Sequence, residues 1–188
     1  MEFSTRQALL DAAENLARTR GFNAFSFRDL AERIGVTTAS IHYHFPTKAA
    51  LGREVMRDYR LRFEGGLAEI PQKHPRPQAQ LGAFLRAFES SLRSGGVCLC
   101  CPLAAEFKTL PEPVQEEVRL FYTNVETWLA GVLDRGRRDG SLAFKGVPLS
   151  VARSVMATLH GAMIASAALD DESRLKGAIS WVESSLAP

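Results

Sequence analysis

Apolar residues recur along most of the chain at intervals of three and four, the spacing that places them on one face of an α-helix. A first stripe contains Leu9, Ala13 and Leu16, and later stripes continue at the same spacing towards the C-terminus. No segment alternates apolar and polar residues over the length of a strand with turn residues at its ends. The pattern predicts an all-α fold of about nine helices.

Capping residues and glycines predict three helices within the first fifty residues, of which the second and third are short. Ser26 is a candidate N-cap before the second apolar stripe, and Gly35 is placed to end that helix. Thr37 then caps a helix of less than two turns, predicted over Thr38–His44, because Phe45-Pro46 terminates it.

Longer helices are predicted over the rest of the chain. The fourth begins after Thr47, and Gly65-Gly66 together with the stretch 71–77 forms the clearest predicted linker. We predict two domains, a helix-turn-helix DNA-binding domain at residues 1–50 and a helical regulatory and dimerisation domain at residues 51–188. The fourth helix is expected to connect them.

Composition and charge narrow the class of protein. The chain has 188 residues, of which 46% are hydrophobic and 23% charged, values typical of a soluble globular protein. It contains no apolar run of about 18 residues and no hydrophobic signal core at its start, so we expect a cytoplasmic protein without a membrane partner. Residues 1–63 hold 10 Lys and Arg against 7 Asp and Glu, a small basic excess that is compatible with DNA binding.

Residues 27–44 have the pattern of a helix-turn-helix, two short helices joined by a tight turn. Val36 and Ile41 are predicted to hold the second helix against the core, which leaves its polar and aromatic side chains to enter the major groove. A short polar helix after a glycine turn also occurs in all-α proteins without this function, so the pattern alone leaves both interpretations open. The predicted DNA-contacting residues are Ser26, Arg28, Thr37, Thr38, Ser40, His42, Tyr43, His44 and Lys48.

The segment Thr5–Leu51 resembles the DNA-binding head of TetR-family regulators. The matching motifs are Gly21-Phe22, Phe27–Ala31, Ile34–Val36 and Ser40–Lys48. The resemblance implies a two-fold symmetric dimer in which a recognition helix reads each half-site of a palindromic double-stranded DNA operator. It also implies repression rather than activation. His42 stands where a tyrosine is most frequent in that helix, with Tyr43 beside it.

Aromatic and sulfur-containing residues are abundant on the helices of the predicted second domain. As a group they are candidates to line a chamber for a small apolar or aromatic effector, although simple core packing explains any single one of them. The predicted ligand-binding or sensing residues are Cys98, Phe88, Phe107, Tyr122, Trp128, His160 and Met163.

Small residues on the penultimate helix predict the dimer face. Ala157, Gly161 and Ala165 permit close approach of a second helix, and two such helices from each subunit would form a four-helix bundle. The partner in that bundle is a second copy of this chain.

Three cysteines, Cys98, Cys100 and Cys101, lie within four positions, which excludes a disulfide framework of a secreted fold. A thiol at the start of a helix gains thiolate character, so this cluster is a candidate sensor of electrophiles. Buried cysteines that only pack are the alternative.

The segment around these cysteines is similar to that of the TetR-family branch that contains the N-ethylmaleimide-reductase repressor, a sensor of reactive electrophiles. Cys98-Leu99 and Leu103–Glu106 carry the similarity, which makes Cys98 the implied sensing thiol. The chain departs from that branch in two respects. Cys100 and Cys101 are additional, and residues 146–174 contain no lysine to partner the sensing cysteine.

Two other function classes remain open at this point. A thiol-based metal sensor would use the cysteines with a histidine such as His160, but Cys-x-Cys-Cys lacks the spaced pairs of structural zinc sites. A cysteine-dependent enzyme would need an orienting acid or amide that is not identifiable. We therefore predict no catalytic residues, no metal site and no cofactor.

Overall fold

The computed structural model describes residues 2–188, apart from the side chains of residues 2–4, 94 and 95. This part of the chain forms nine α-helices and one 3₁₀ turn, and it contains no strand. The predicted all-α fold is therefore confirmed. The helices are α1 (Glu2–Arg20), α2 (Phe27–Ile34), α3 (Thr38–His44), α4 (Lys48–Lys73), α5 (Pro77–Gly95), α6 (Cys100–Ala105), α7 (Glu112–Arg138), α8 (Pro148–Leu169) and α9 (Ser173–Ser185), with the 3₁₀ turn at Phe107–Thr109.

The chain divides into two compact units that differ from the predicted domains. The first unit contains Met1–Arg62 and Leu99–Phe121, and the second contains Phe63–Cys98 and Tyr122–Pro188. The first unit thus combines α1–α3 with α6 and the beginning of α7. The predicted boundary between residues 50 and 51 remains a prediction about domains, since a compact unit need not coincide with one.

The prediction of a linker at Gly65-Gly66 is wrong. Gly65 and Gly66 lie inside α4, which continues through Pro71 to Lys73. Each glycine weakens a helix by roughly 0.5–1 kcal/mol relative to alanine, too little to break a long helix that buries Tyr59 and Leu67. Pro71 lies within the last turn of α4. Only residues 74–76 separate α4 from α5.

Local capping produces the short helices of the first unit. The Ser26 side chain accepts a hydrogen bond from the backbone N–H of Asp29, whose carboxylate in turn accepts one from the N–H of Ser26. Gly35 ends α2 with φ of 72°, a left-handed conformation that glycine adopts without steric penalty. The Thr37 hydroxyl accepts from the N–H of Ser40 and starts α3. These caps confirm the predicted bounds of α3.

Each unit has its own apolar core. In the first unit, Leu9, Leu30, Ile41 and Leu51 are fully buried, and α3 packs against α2. In the second unit the fully buried side chains include Phe84, Leu85, Val125 and Leu159. No helix within the described residues has the length and apolar character needed to cross a membrane.

The helix after the cysteines is shorter than predicted. The sequence predicts a helix from about Leu99 to Lys108, whereas α6 ends at Ala105. Thr109 explains the difference, because its backbone N–H and its hydroxyl both donate to the carbonyl of Glu106, at 2.8 Å each. These bonds tighten the chain into the 3₁₀ turn.

Candidate nucleic-acid interface and ligand chamber

The third helix presents a polar and aromatic surface to solvent. Ile41 and the C-capping Phe45 are buried and anchor α3, whereas Tyr43 is 74% exposed. The ring of Tyr43 packs edge-on against His44, with 5.2 Å between ring centroids. Of the other predicted contact residues in this segment, Thr37, Thr38 and His42 are exposed and Ser40 and His44 are half-buried.

His42 is held in a defined orientation. Its ring packs edge-on against Phe27 at 4.9 Å, and its Nδ1 lies 3.2 Å from the carbonyl oxygen of Pro46. Because a carbonyl oxygen only accepts, Nδ1 is the donor in this bond. In the neutral tautomer with its proton on Nδ1, Nε2 is a hydrogen-bond acceptor. An acceptor suits the amino groups of adenine and cytosine in the major groove.

Ser26 and Arg28 lie at the start of α2 and differ in how they are engaged. Ser26 caps the helix, and its hydrogen bonds hold the pKa of the Asp29 carboxyl below its usual range. The Arg28 side chain is 85% exposed and pairs with Glu32 at 3.0 Å. An exposed ion pair of this kind is weak, so Arg28 remains available to a phosphate.

Lys48 is engaged inside the first unit. Its ammonium group donates to the carbonyl oxygen of Phe25 and lies 4.7 and 4.5 Å from the ring centroids of Phe22 and Phe25. Burial lowers the pKa of this ammonium group, while the nearby carboxylates of Glu106 and Asp29 oppose that shift. The lysine thus stabilises the turn between α1 and α2, a role that the sequence did not indicate.

Three predicted chamber residues meet in the second unit. The Tyr122 hydroxyl lies 3.0 Å from Nδ1 of His160, and the His160 ring lies 5.8 Å from the ring of Phe88. His160 is only 7% exposed, and its Nε2 is buried without a hydrogen-bond partner. A buried donor or acceptor left without a partner costs about 1–3 kcal/mol, so this atom is an attractive contact for a ligand.

The remaining predicted chamber residues are divided between the units. Trp128 packs against Phe84 at 5.6 Å, and Met163 is fully buried, both in the second unit. Phe107 belongs to the first unit, where the guanidinium of Arg119 lies 4.9 Å from its ring centroid.

An open cleft of about 370 Å³ also lies in the second unit. Its lining comes from the start of α5, the end of α9 and the loop after α7, and includes Leu81, Leu142 and Glu183. None of the predicted chamber residues lines it.

Known families match most of the chain. Residues 9–55 match the family described as bacterial regulatory proteins, tetR family, and residues 75–182 match a tetracyclin repressor-like C-terminal domain. The chain belongs to the TetR family. Regulators of this family bind operator DNA and small-molecule effectors as dimers, so the predicted class of DNA-binding regulator, rather than enzyme, is confirmed.

Individual TetR-family proteins match over nearly the whole chain. A TetR-family regulator from Agrobacterium tumefaciens is 32% identical, with each chain fully covered and a TM-score of 0.96. The HTH-type transcriptional repressor NemR of Escherichia coli is 25% identical over 99% of this chain and 96% of its own. The reduced form of E. coli NemR has a TM-score of 0.85, at 26% identity and 97% coverage of both chains. The similarities to NemR support the prediction that this chain belongs to the branch of the TetR family that contains the N-ethylmaleimide-reductase repressor.

The cysteines of this TetR-family chain are all buried. Cys98 precedes α6 and is 2% exposed, and Cys100 and Cys101 occupy the first turn of α6. In the part of the chain that the structure describes, no three His, Cys, Asp or Glu side chains converge as a metal site would require. The geometry therefore lends no support to the metal-sensor alternative.

Two contacts that the sequence did not identify join the residues just after α6, here called the α6 segment together with that helix, to the turn between α1 and α2. The Glu106 carboxylate accepts a hydrogen bond from the backbone N–H of Asn23 at 3.0 Å, and the Asn23 side-chain amide donates to the Thr109 hydroxyl at 2.7 Å. We call these two contacts the turn clasp. Glu106 belongs to a motif that the sequence singled out for its resemblance alone.

Proposed function

We propose that this TetR-family regulator is a repressor that binds a palindromic operator as a homodimer and releases it when an effector occupies the second unit. The proposal of DNA binding rests on one observation about α3. Ile41 and Phe45 anchor this helix in the core, while its opposite surface faces solvent and includes Tyr43, which is 74% exposed. In such dimers, half-sites lie about 34–36 Å apart, one turn of the DNA helix.

The proposed roles of the DNA-binding residues follow from their places on α2 and α3. Thr38, Ser40, His42, Tyr43 and His44 are assigned to the groove and Thr37 to the phosphate beside the start of α3. The other predicted contacts are Ser26 and Arg28, which are assigned to backbone phosphates. Lys48 supports the fold of the head and is expected to reach a phosphate only by leaving Phe25.

The test is selection of the operator from random DNA by the purified protein, followed by binding measurements with two variants. Tyr43→Ala is expected to weaken binding to the selected operator at least tenfold, because a base or phosphate contact is lost. Leu61→Ala, an exposed apolar residue on α4, is the matched control and should bind normally. Failure of the wild-type protein to select any sequence would refute the proposed function.

The effector site is assigned to the cluster of Phe88, Tyr122 and His160. Phenols donate more strongly than they accept, so the Tyr122 hydroxyl is taken as the donor to Nδ1, which leaves an N–H on Nε2. An effector with an aromatic body and an acceptor oxygen would satisfy that N–H. Effector binding can release DNA only to the extent that the effector prefers one conformational state. Both α4 and α7 contribute residues to both units, so these helices are the proposed carriers of that preference.

A matched pair of probes tests this assignment. We expect 2-acetylnaphthalene to raise the melting temperature and release operator DNA at lower concentration than 2-ethylnaphthalene, which lacks the carbonyl oxygen. His160→Phe should abolish the difference between the two compounds. An unchanged preference in that variant would exclude His160 as the polar contact.

Electrophile sensing at Cys98 is the second route of release that we propose, on the basis of the resemblance of residues 98–106 to the NemR branch. The Cys98 thiolate would add to the double bond of N-ethylmaleimide, forming a carbon–sulfur bond while the adjacent carbon takes a proton from water. Because Cys98 is 2% exposed, the reaction requires local opening. Loss of maleimide-induced DNA release in Cys98→Ser, but not in Cys100→Ser, is expected, and a full response in Cys98→Ser would refute this route.

A further inference from the structure

The turn between α1 and α2 is held from two directions within the first unit. On one side the Glu106 carboxylate and the Thr109 hydroxyl bind Asn23. On the other side, the Lys48 ammonium at the start of α4 binds the carbonyl of Phe25. Lys48 lies four residues after His44, the last residue of α3. The turn therefore connects the α6 segment with the start of the helix that follows α3.

The Glu106 carboxylate lies directly against Gly21 in this turn. The φ of Gly21, 92°, is in the left-handed region, and a β-carbon added there would overlap the Glu106 carboxylate. The backbone conformation therefore favours glycine, and a larger residue at this position would displace the Glu106 carboxylate. The carboxylate is also close enough to Lys48 to oppose the lowering of that group's pKa.

Glu106 is at the same time the C-cap of α6, and its backbone N–H donates to the carbonyl of Pro102. Cys100 and Cys101 lie in the first turn of the same six-residue helix, and Cys98 lies just before it. A displacement of this short helix must therefore move Glu106, because fewer than two turns of helix separate them.

We infer that Glu106 is a positioning residue for operator binding. Through the turn clasp it fixes the α1–α2 turn, and with it the placement of α2 and α3, to the segment that contains the cysteines. The inference rests on the proposed function and deepens it, since it names the contact through which the α6 segment controls the head.

The expected sign of one substitution separates this role from simple electrostatics. Removal of a carboxylate from the compact unit that contains the DNA-binding helices should strengthen binding to phosphates, because one source of repulsion is lost. If Glu106 positions the head, Glu106→Ala must instead weaken binding to the selected operator. Asn23 and Thr109 are exposed, so water replaces the lost partners and the variant should still fold.

The experiment compares the dissociation constants of full-length dimers for the selected operator and for random-sequence DNA of equal length. We expect Glu106→Ala to weaken operator binding about five- to twentyfold, the lower part of the usual range of coupling between sites, while binding to random DNA stays equal or improves. Glu106→Gln keeps an acceptor for the Asn23 N–H and should bind the operator within about twofold of wild type. Hydrogen exchange should show faster exchange of the Asn23 amide in Glu106→Ala alone.

Two further variants complete the test. Glu116→Ala removes an exposed carboxylate on α7 in the same unit and should not weaken operator binding. Thr109→Val removes the hydroxyl that binds the Asn23 side chain, which is the other contact of the turn clasp. This variant should weaken operator binding, as Glu106→Ala does, so the inference remains testable if Glu106→Ala is unstable.

Normal operator binding by Glu106→Ala and Thr109→Val would overturn the inference. So would a parallel loss on operator and random DNA together with a lower melting temperature, because that result indicates damage to the fold. A wild-type protein that selects no operator would refute the proposed function itself, a distinct outcome that removes the basis of the inference as well.

Discussion

Arg60 on α4 and Glu117 on α7 form an ion pair of 2.9 Å inside the first unit, with side chains only 12% and 7% exposed. A pair this deeply buried has lost most of its hydration, so each charge depends on the other for compensation. The pair thus links the two helices that contribute residues to both compact units.

Removal of one member of this pair should destabilise the protein strongly. We expect Glu117→Ala to lower the free energy of unfolding by about 3 kcal/mol, because Arg60 is left as a poorly compensated buried charge. Urea denaturation at a fixed protein concentration measures the effect, since the stability of a dimer depends on concentration. Glu116→Ala, the exposed neighbour, should change it by less than about 0.5 kcal/mol. Equal effects of the two substitutions would contradict the assigned burial.

Two glycines should respond to the same substitution with opposite signs. Gly35 has φ of 72° and Gly65 lies in the helical interior of α4, and a β-carbon at either position meets no atom within 4 Å. Backbone conformation alone therefore decides the outcome. Gly35→Ala should destabilise the protein by about 1–2 kcal/mol. Gly65→Ala should stabilise it by roughly 0.5–1 kcal/mol, again by urea denaturation. Destabilisation by Gly65→Ala would indicate that α4 is interrupted there.

The predictions for the helices succeeded where local chemistry decides the conformation. Ser26, Gly35 and Thr37 each act on residues within four positions, so a cap or a terminator can be predicted from neighbours alone. Gly65-Gly66 failed as a linker because continuity of α4 depends on packing along its whole length, which local propensity does not contain.

The candidate DNA-binding and effector sites show the same difference between features set by neighbouring residues and features set by distant ones. The exposed surface of α3 follows from helical periodicity around Ile41, and the resemblance identified its function. The hydrogen bonds of Glu106 with Asn23 and of Tyr122 with His160 join residues 83 and 38 positions apart. No spacing rule relates such residues, so only the folded chain brings them together.

Lys48 provides a test of charge burial in the head. Burial between Phe22 and Phe25 lowers its pKa below the model-peptide value of 10.5. As pH rises through the folded-state pKa, the native protein loses this proton before the unfolded chain does, and stability increases relative to a variant without the lysine. The difference in unfolding free energy between wild type and Lys48→Met should therefore shift in favour of wild type as the pH is raised from neutrality towards 10.5, the usual pKa of lysine.

Lys145→Met supplies the control for that comparison, since Lys145 is exposed in the loop before α8. Its difference from wild type should stay constant over the same pH interval. A Lys48→Met difference that is equally constant would show that the ammonium group is not buried in the native protein.

The last prediction concerns the dimer, for which α8 and α9 are the proposed interface. These helices pack against each other and carry three exposed apolar side chains, Ile164, Leu169 and Trp181, which are 49%, 59% and 61% exposed in the single chain. Exposed large apolar residues on neighbouring helices are typical of a surface that a partner covers. Tryptophan is the residue type most often responsible for binding energy in such interfaces.

Trp181→Ala should therefore raise the dimer dissociation constant about 30-fold or more, the equivalent of 2 kcal/mol at an interface centre. Sedimentation equilibrium over a range of protein concentrations measures this constant directly. Leu61→Ala, 50% exposed on α4 in the other unit, is the control and should dimerise normally. Because two half-sites require two heads, Trp181→Ala should also lose operator affinity at low protein concentration and regain it at high concentration. An unchanged dimer in Trp181→Ala would place the interface on another surface.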